Sequence, residues 1–418
     1  MTCEIAIMNT RGIALAADSA LTLGDSSKVY YSAEKLFPLA GTAPIAMLTY
    51  GSDALMGVPW ATIIANYSRQ LGDRRFDRLN EYVDDFIAFI EGERSMFPEE
   101  IQSARFLFHA KRIWRKIYAE PWRAMMAKQQ GNVSSRRARF TKSMIALLYK
   151  DHGIWDQYPA LTCRNEFYFS DDGDIGDSSE DLAEEILSQN DSDLCKIENE
   201  LFGNDDLPFG PTLPDALRQG LRTTLRYFLL RGAFGGGDDC GIVFAGMGEA
   251  EFYPSVLHYR VGTMTNNHLK ILLIDEDRIT QEKIGCIVPL AQCDTIHLII
   301  DGIHPDLKKL APDLMKRSLP SRQTKSNLWN EWEHTPADQF RELLDSETHK
   351  NHSGPFLSAV AALPRQEMAV MAETLVNLAA FRLKFSANER ETIGGPIDVA
   401  VLSKAEGFVW AKHKRLTC

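Results

Sequence analysis

The stretch from Met1 to Lys35 constrains this chain most. Residues 3–8, Cys-Glu-Ile-Ala-Ile-Met, are short and apolar enough for a strand. Asn9-Thr10-Arg11-Gly12 reads as a turn, and residues 13–17, Ile-Ala-Leu-Ala-Ala, read as a second, buried strand ending at Asp18-Ser19. A tight hairpin folds the second strand back on the first. A two-residue loop at Thr10-Arg11 sets Asp18 opposite Cys3, and one more loop residue sets it opposite Thr2. Either register brings the Asp18 carboxylate beside the chain terminus, because cross-strand neighbours lie about 5 Å apart. A third candidate strand, over residues 32–39, carries Lys35 among apolar residues.

Methionine before a small residue such as Thr2 is normally trimmed during synthesis. Trimming leaves a free amine on the residue that also carries a hydroxyl. An α-amine has an ordinary pKa of about 7.7–8.0, so it takes a proton near neutral pH. One residue then supplies nucleophile and base. Lys35 favours the deprotonated amine and a developing alkoxide, and Asp18 offsets the burial of that lysine. The plainer alternative is an N-terminal hairpin with a charged residue at each strand end, which gives the lysine no purpose. Cys3, a second candidate nucleophile, needs two residues removed and faces the opposite side of the strand from Thr2, so it reads as a structural thiol.

Thr2, Ala16-Ala17-Asp18-Ser19, Thr22-Leu23-Gly24 and Lys35 together resemble the opening of proteasome β subunits. They also resemble the bacterial proteasome-like proteases of the N-terminal nucleophile (Ntn) hydrolase superfamily. The resemblance implies Thr2 as nucleophile with Asp18 and Lys35 as its partners. It implies that Gly51, after the apolar run 45–50, gives a backbone N–H to an oxyanion hole, where a glycine admits close approach of a carbonyl. A turn glycine is the alternative for Gly51. Two auxiliary serines of the family are absent. The corner Pro289-Leu290-Ala291-Gln292 lacks one, and Ile393, before Gly394-Gly395, stands in place of the other, with Arg390 where an aspartate is expected.

The chain has 418 residues, 44% of them hydrophobic, enough for two or three domains. A net charge of -11 argues against nucleic acid as a partner. The 7 cysteines show no CxxC pairing and suit a reducing compartment. Glu4, Arg11 and Asp18 interrupt the apolar N-terminus, so it is not a secretory leader. No apolar run is long enough to span a bilayer. These features lead to the expectation of a cytoplasmic protein with no membrane partner.

Residues 75–235 depart from the family and read as helical, at 79–97, 99–118, 121–130, 138–150, 182–201 and 213–230. A basic part, 111–142, and an acidic part, 171–206, read as solvated faces. Asp171–Asp181 lacks the spacing of a calcium loop. The glycines at 235–237 lack the Lys-Ser/Thr of a phosphate loop and read as a connector. Strands follow at 240–246, 252–261, 268–275 and 284–290, then a helix near 291–302. Residues 305–360 form a second extra stretch, polar, with Trp329 and Trp332. His349 and His352 stand in a loop-like setting without metal-ligand spacing. A helix over 364–383 carries Met368, Met371, Leu375, Leu378 and Phe381 as one apolar face. A closing hairpin spans 397–402 and 408–413.

The resemblance thus implies an α+β fold, a four-layer αββα sandwich with a large helical insertion. Its sandwich is built from residues 1–74 and 236–418, with an extra segment at 305–362 and the insertion at 75–235. It implies a threonine hydrolase, a proteasome-like peptidase that cleaves peptide or amide bonds through an acyl-enzyme on Thr2, without cofactor or metal. The implied partners are a peptide or protein substrate, copies of the same chain in a ring or stacked rings, and an ATPase that feeds such rings. Two alternatives stand: a non-catalytic assembly or scaffold protein, for which the missing serines speak, and an amidase for a small substrate.

Overall fold

The computed structural model describes residues 2–22, 28–39, 43–120, 142, 177–202, 215–231, 239–291, 294–318, 336–386 and 391–414. The sequence-predicted helices at 121–130 and 138–150 fall outside this set, apart from residue 142. So do Trp329, Trp332, Arg390, Gln292, Leu23, Gly24 and the glycines at 235–237.

The chain is a mixed α/β fold. Its strands are β1 (Cys3–Asn9), β2 (Gly12–Ala17), β3 (Leu21–Thr22), β4 (Val29–Tyr30), β5 (Leu36–Pro38), β6 (Ile45–Gly51), β7 (Ala54–Leu55) and β8 (Val58–Pro59). They continue with β9 (Cys240–Gly246), β10 (Ser255–Thr265), β11 (His268–Arg278), β12 (Gly285–Ala291), β13 (Asp398–Ser403) and β14 (Gly407–Lys412). One five-stranded sheet runs β12-β1-β2-β13-β14 and the other β11-β10-β9-β6-β5. Neighbours in both are antiparallel.

The first hairpin closes on Thr10-Arg11: Asn9 pairs with Gly12 and Glu4 with Ala17. Asp18 N–H then donates to the Cys3 carbonyl, at 3.2 Å. The two-residue loop is therefore the register adopted. Gly12 is required there, since its φ is +147° and a Cβ would lie 2.2 Å from the Leu402 carbonyl oxygen.

Alternation along β1 sorts its side chains into two cores. Ile5 and Ile7 join Ala14 and Ala16 against Met368, Leu375 and Val376 of the helix Arg365–Phe385. Ala6 and Met8 face the opposite way and meet Leu48, Val243 and Val256 of the second sheet. The far side of that sheet, with Met47 and Phe244, is covered by Trp60 and Tyr67 of the helix Trp60–Leu71 and Phe86 of the helix Leu79–Gly92. A separate core joins Phe106 and Trp114 to Leu194, Leu221 and Leu225 on helices Asp191–Phe202 and Asp215–Leu230.

Several sequence expectations are corrected. Residues 32–35 are not strand; only Leu36–Pro38 pairs, with β6. The helix expected over 182–201 is two helices, Asp177–Gln189 and Asp191–Phe202, separated at Asn190. The segment after residue 305 is helical at Pro305–Ser318, Pro336–Thr348 and Gly354–Ala362. His349 and His352 sit in a π-helical turn rather than a loop. In the helix Arg365–Phe385, Met368 and Leu375 are buried as expected, but Leu378 and Phe381 are 41% and 62% exposed. Repeated three-residue steps drift around a helix of about 3.6 residues per turn, so Leu378 and Phe381 rotate off the face that Met368, Ala372, Leu375 and Ala379 bury.

Candidate functional site

Thr2, Asp18 and Lys35 meet at the open end of the first hairpin. Thr2 precedes β1, and Asp18 follows directly on β2, so the antiparallel register places both at one end of these two interior strands. Lys35 comes from the segment just before β5, whose backbone is tied to the second sheet where Thr49 N–H donates to the Lys35 carbonyl, at 2.9 Å. The three side chains thus converge from segments that adjoin strands of both sheets.

The hydrogen bonds are closed around one carboxylate oxygen. Thr2 Oγ1 donates to Asp18 Oδ1 at 2.5 Å, and the Cys3 N–H donates to the same oxygen at 3.1 Å. Lys35 Nζ lies 2.7 Å from Asp18 Oδ1 and also donates to Thr2 Oγ1. The other oxygen, Asp18 Oδ2, accepts from Ala20 N–H at 3.1 Å and Gly394 N–H at 3.0 Å. All three residues are buried, Asp18 completely. An ion pair out of water holds together only when its remaining hydrogen-bonding positions are filled, and the backbone donors around Asp18 fill them.

Ser19 fixes the backbone beyond the carboxylate. Its N–H donates to the Gly394 carbonyl at 3.1 Å and its hydroxyl to the Pro396 carbonyl at 2.5 Å. The loop before β13 is therefore a wall of the site, contributed from 376 residues along the chain. Gly394 has φ +155° and Gly395 φ +79°, and a Cβ on Gly395 would lie 2.7 Å from Tyr31 Cβ. Sequence reasoning noted this glycine pair but not that its backbone holds Asp18; the signal available was the pair itself, at a position that L side chains rarely adopt.

Gly51 ends β6 opposite Cys240. Its φ is +88°, and a Cβ would lie 2.8 Å from the Asp239 carbonyl oxygen. Thr2, Lys35 and Gly51 line one cavity of about 330 Å³, together with Thr49, Trp60 and Thr22. The cavity can hold a carbonyl-bearing chain segment beside the Thr2 hydroxyl, with an ammonium already donating to that oxygen. A lysine placed so lowers the cost of an alkoxide there.

One further ionisable group belongs to this region and was passed over in the sequence. Glu4 is completely buried, and neither of its carboxyl oxygens has a hydrogen-bond partner. Burial pushes its pKa well above the ordinary carboxylate range; the Lys35 charge opposes that rise and the Asp18 charge adds to it. The signal in the sequence was a lone carboxylate inside an apolar strand, two residues from Thr2.

Neither a protein-family model nor a curated protein matches the chain. Among solved structures, similar ones are Anbu proteins. A Gly-1 mutant of Anbu from Hyphomicrobium sp. strain MC1 is 8% identical, with a TM-score of 0.30 over 100% of this chain and 88% of the other. Anbu (ancestral beta-subunit) from Yersinia bercovieri is 10% identical, with a TM-score of 0.31 over 99% and 88%. The helical assembly of the Anbu complex from Pseudomonas aeruginosa is 10% identical, with a TM-score of 0.28 over 100% and 88%.

These outcomes correct the expectation of a proteasome β subunit or proteasome-like member of the Ntn hydrolase superfamily. The similar structures are Anbu proteins at 8–10% identity, and membership in that superfamily does not follow. The physical reason is the short reach of the motif. A carboxylate and a lysine at the open end of a hairpin need only the first 35 residues, and β12 and the loop before β13 lack the serines that would extend the match. No helix among the described residues is long and apolar enough to cross a membrane.

Proposed function

We propose that this chain is a hydrolase that cleaves peptide or amide bonds with Thr2 as its terminal nucleophile. The observation that carries the reading is the buried cluster in which Lys35 donates to Thr2 Oγ1 while paired with Asp18. Removal of Met1 exposes the Thr2 α-amine. Thr2 Oγ1 adds to the substrate carbonyl, and the amine takes the hydroxyl proton. Lys35 offsets the negative charge on the attacking oxygen, and the Gly51 N–H receives the charge on the carbonyl oxygen. The amine passes its proton to the leaving nitrogen, which departs as the C–N bond breaks. Water then hydrolyses the Thr2 ester and restores the hydroxyl.

The same reading takes the frame as a four-layer αββα sandwich over residues 1–74 and 236–418, with the extra segment at 305–362 and the helical insertion at 75–235. The two packed sheets with helices against their outer faces support it. A homo-oligomeric ring, with a peptide or protein substrate and an ATPase partner, extends the proposal; the exposed Phe381 and Phe385 on one helix speak for association. Mass measurement in solution tests the oligomer.

A second reading is a non-catalytic assembly protein, favoured by the Thr2 hydroxyl being already bonded to Asp18. The test between them is covalent labelling by a threonine-directed electrophile followed by peptide mapping. Modification at Thr2 supports the hydrolase; none at Thr2, with Met1 removed, supports the assembly role. Activity on unfolded protein against activity on small amides alone separates a peptidase from an amidase.

A further inference from the structure

Glu4 is a buried carboxyl that the chemistry above does not use. It lies on β1 between Ala17 of β2 and Leu290 of β12. Alternation puts it on the same face of β1 as Thr2, Ala6 and Met8, the face turned to the second sheet. A carboxyl buried there without a partner is costly, because it loses its water and gains no hydrogen bond in exchange. An apolar residue at position 4 would avoid that cost.

The charged groups that face it are few. Lys35 and Asp18 act on it from the segment before β5 and from the end of β2. Its strand neighbours Ala17 and Leu290 are apolar, and so are Ala46, Leu48 and Val243 in the same core. Lys35 is already committed to Thr2 and Asp18. The group that removal of Met1 would add is the α-amine of Thr2. Two residues along a strand span about 6.6 Å, a gap that a glutamate folding back closes with its own length plus one hydrogen bond.

We propose that Glu4 is a positioning residue: its carboxyl accepts a hydrogen bond from the Thr2 α-amine exposed by Met1 removal and turns the amine lone pair toward Thr2 Oγ1. This inference rests on the Thr2 reading above. As a carboxylate Glu4 favours the ammonium form, as Asp18 does, and Lys35 opposes both.

The experiment follows the rate of Thr2 labelling by a threonine-directed electrophile against pH, in native protein and in Glu4→Gln, with intact mass confirming Met1 removal in each. Glu4→Gln is expected to label still at Thr2, with the acid limb of its profile moved down by about 1 pH unit or more. An unchanged limb overturns the role of Glu4 and leaves Thr2 as nucleophile. Absence of Thr2 labelling in the native protein overturns the Thr2 reading, and this inference with it. A second readout needs no Glu4 variant: the infrared difference between Met1-retaining and trimmed native protein below the amine pKa. Loss of a protonated-carboxyl band on trimming is expected, and its persistence overturns the proposal.

Discussion

Lys35 Nζ lies 2.7 Å from Asp18 Oδ1, although the lysine stands just before β5 of the second sheet and the aspartate just after β2 of the first. The pair bridges the two sheets at the point where the cavity reaches Thr2. Both side chains are nearly or wholly withdrawn from water, so each charge depends on the other. This dependence predicts asymmetric mutant behaviour.

Asp18→Asn leaves a buried ammonium without its anion and is expected to lower stability by about 3–5 kcal/mol. Lys35→Met leaves the carboxylate with its backbone donors and is expected to cost less. The double variant Asp18→Asn, Lys35→Met is expected to be more stable than Asp18→Asn alone. Urea unfolding of the three variants checks the order; equal losses in both single variants would argue that the charges act independently.

Gly51→Ala combines a left-handed backbone with a collision at the Asp239 carbonyl. A stability loss of about 1–3 kcal/mol is expected from the backbone alone. Gly57 serves as the control: its φ is +92°, and nothing lies within 4 Å of an added Cβ. Labelling of Thr2 is expected to slow at least about tenfold in Gly51→Ala, from a displaced donor, and to stay unchanged in Gly57→Ala. Equal labelling in both variants would remove Gly51 from the site.

A pH effect is expected at Lys270. Lys270 donates to the Phe228 carbonyl and lies 3.8 Å from the centroid of the Phe228 ring, where burial brings its pKa down to about 7. Asp239 acts against that fall and Arg260 adds to it. The folded pKa is below the unfolded value of about 10.4, so the folded state prefers the neutral amine. Stability from this preference is present above the unfolded pKa and is lost as pH falls through about 7. Lys270→Met is expected to lose that dependence. Urea midpoints of native and variant protein at about pH 7 and about pH 10 check it: their difference should change between the two pH values, and a constant difference would contradict the account.

The hairpin was legible in the sequence because a continuous apolar strand, a Thr-Arg turn before a glycine and a terminal Asp-Ser leave few registers, and the register sets Asp18 at Cys3. Lys35 was legible as a partner but not as a loop residue: an Ala-Glu-Lys-Leu run reads as the start of a strand, whereas pairing begins only at Leu36. The Gly394 wall was hidden because it acts through a backbone N–H, which leaves no mark on residue identity beyond the glycine itself. Glu4 was hidden for the opposite reason. A lone charge in an apolar strand reads as an interruption, and only burial without a partner marks it out.

On this reading Thr2 is the terminal nucleophile of the mature protein, its α-amine bared by loss of Met1. Intact mass of the purified chain, before and after reaction with a threonine-directed electrophile, tests it most directly, with Thr2→Ala alongside. The expected result is a mass lacking Met1, a single adduct that maps to Thr2, and no adduct in Thr2→Ala. A chain that retains Met1, or an adduct that persists in Thr2→Ala, would contradict it.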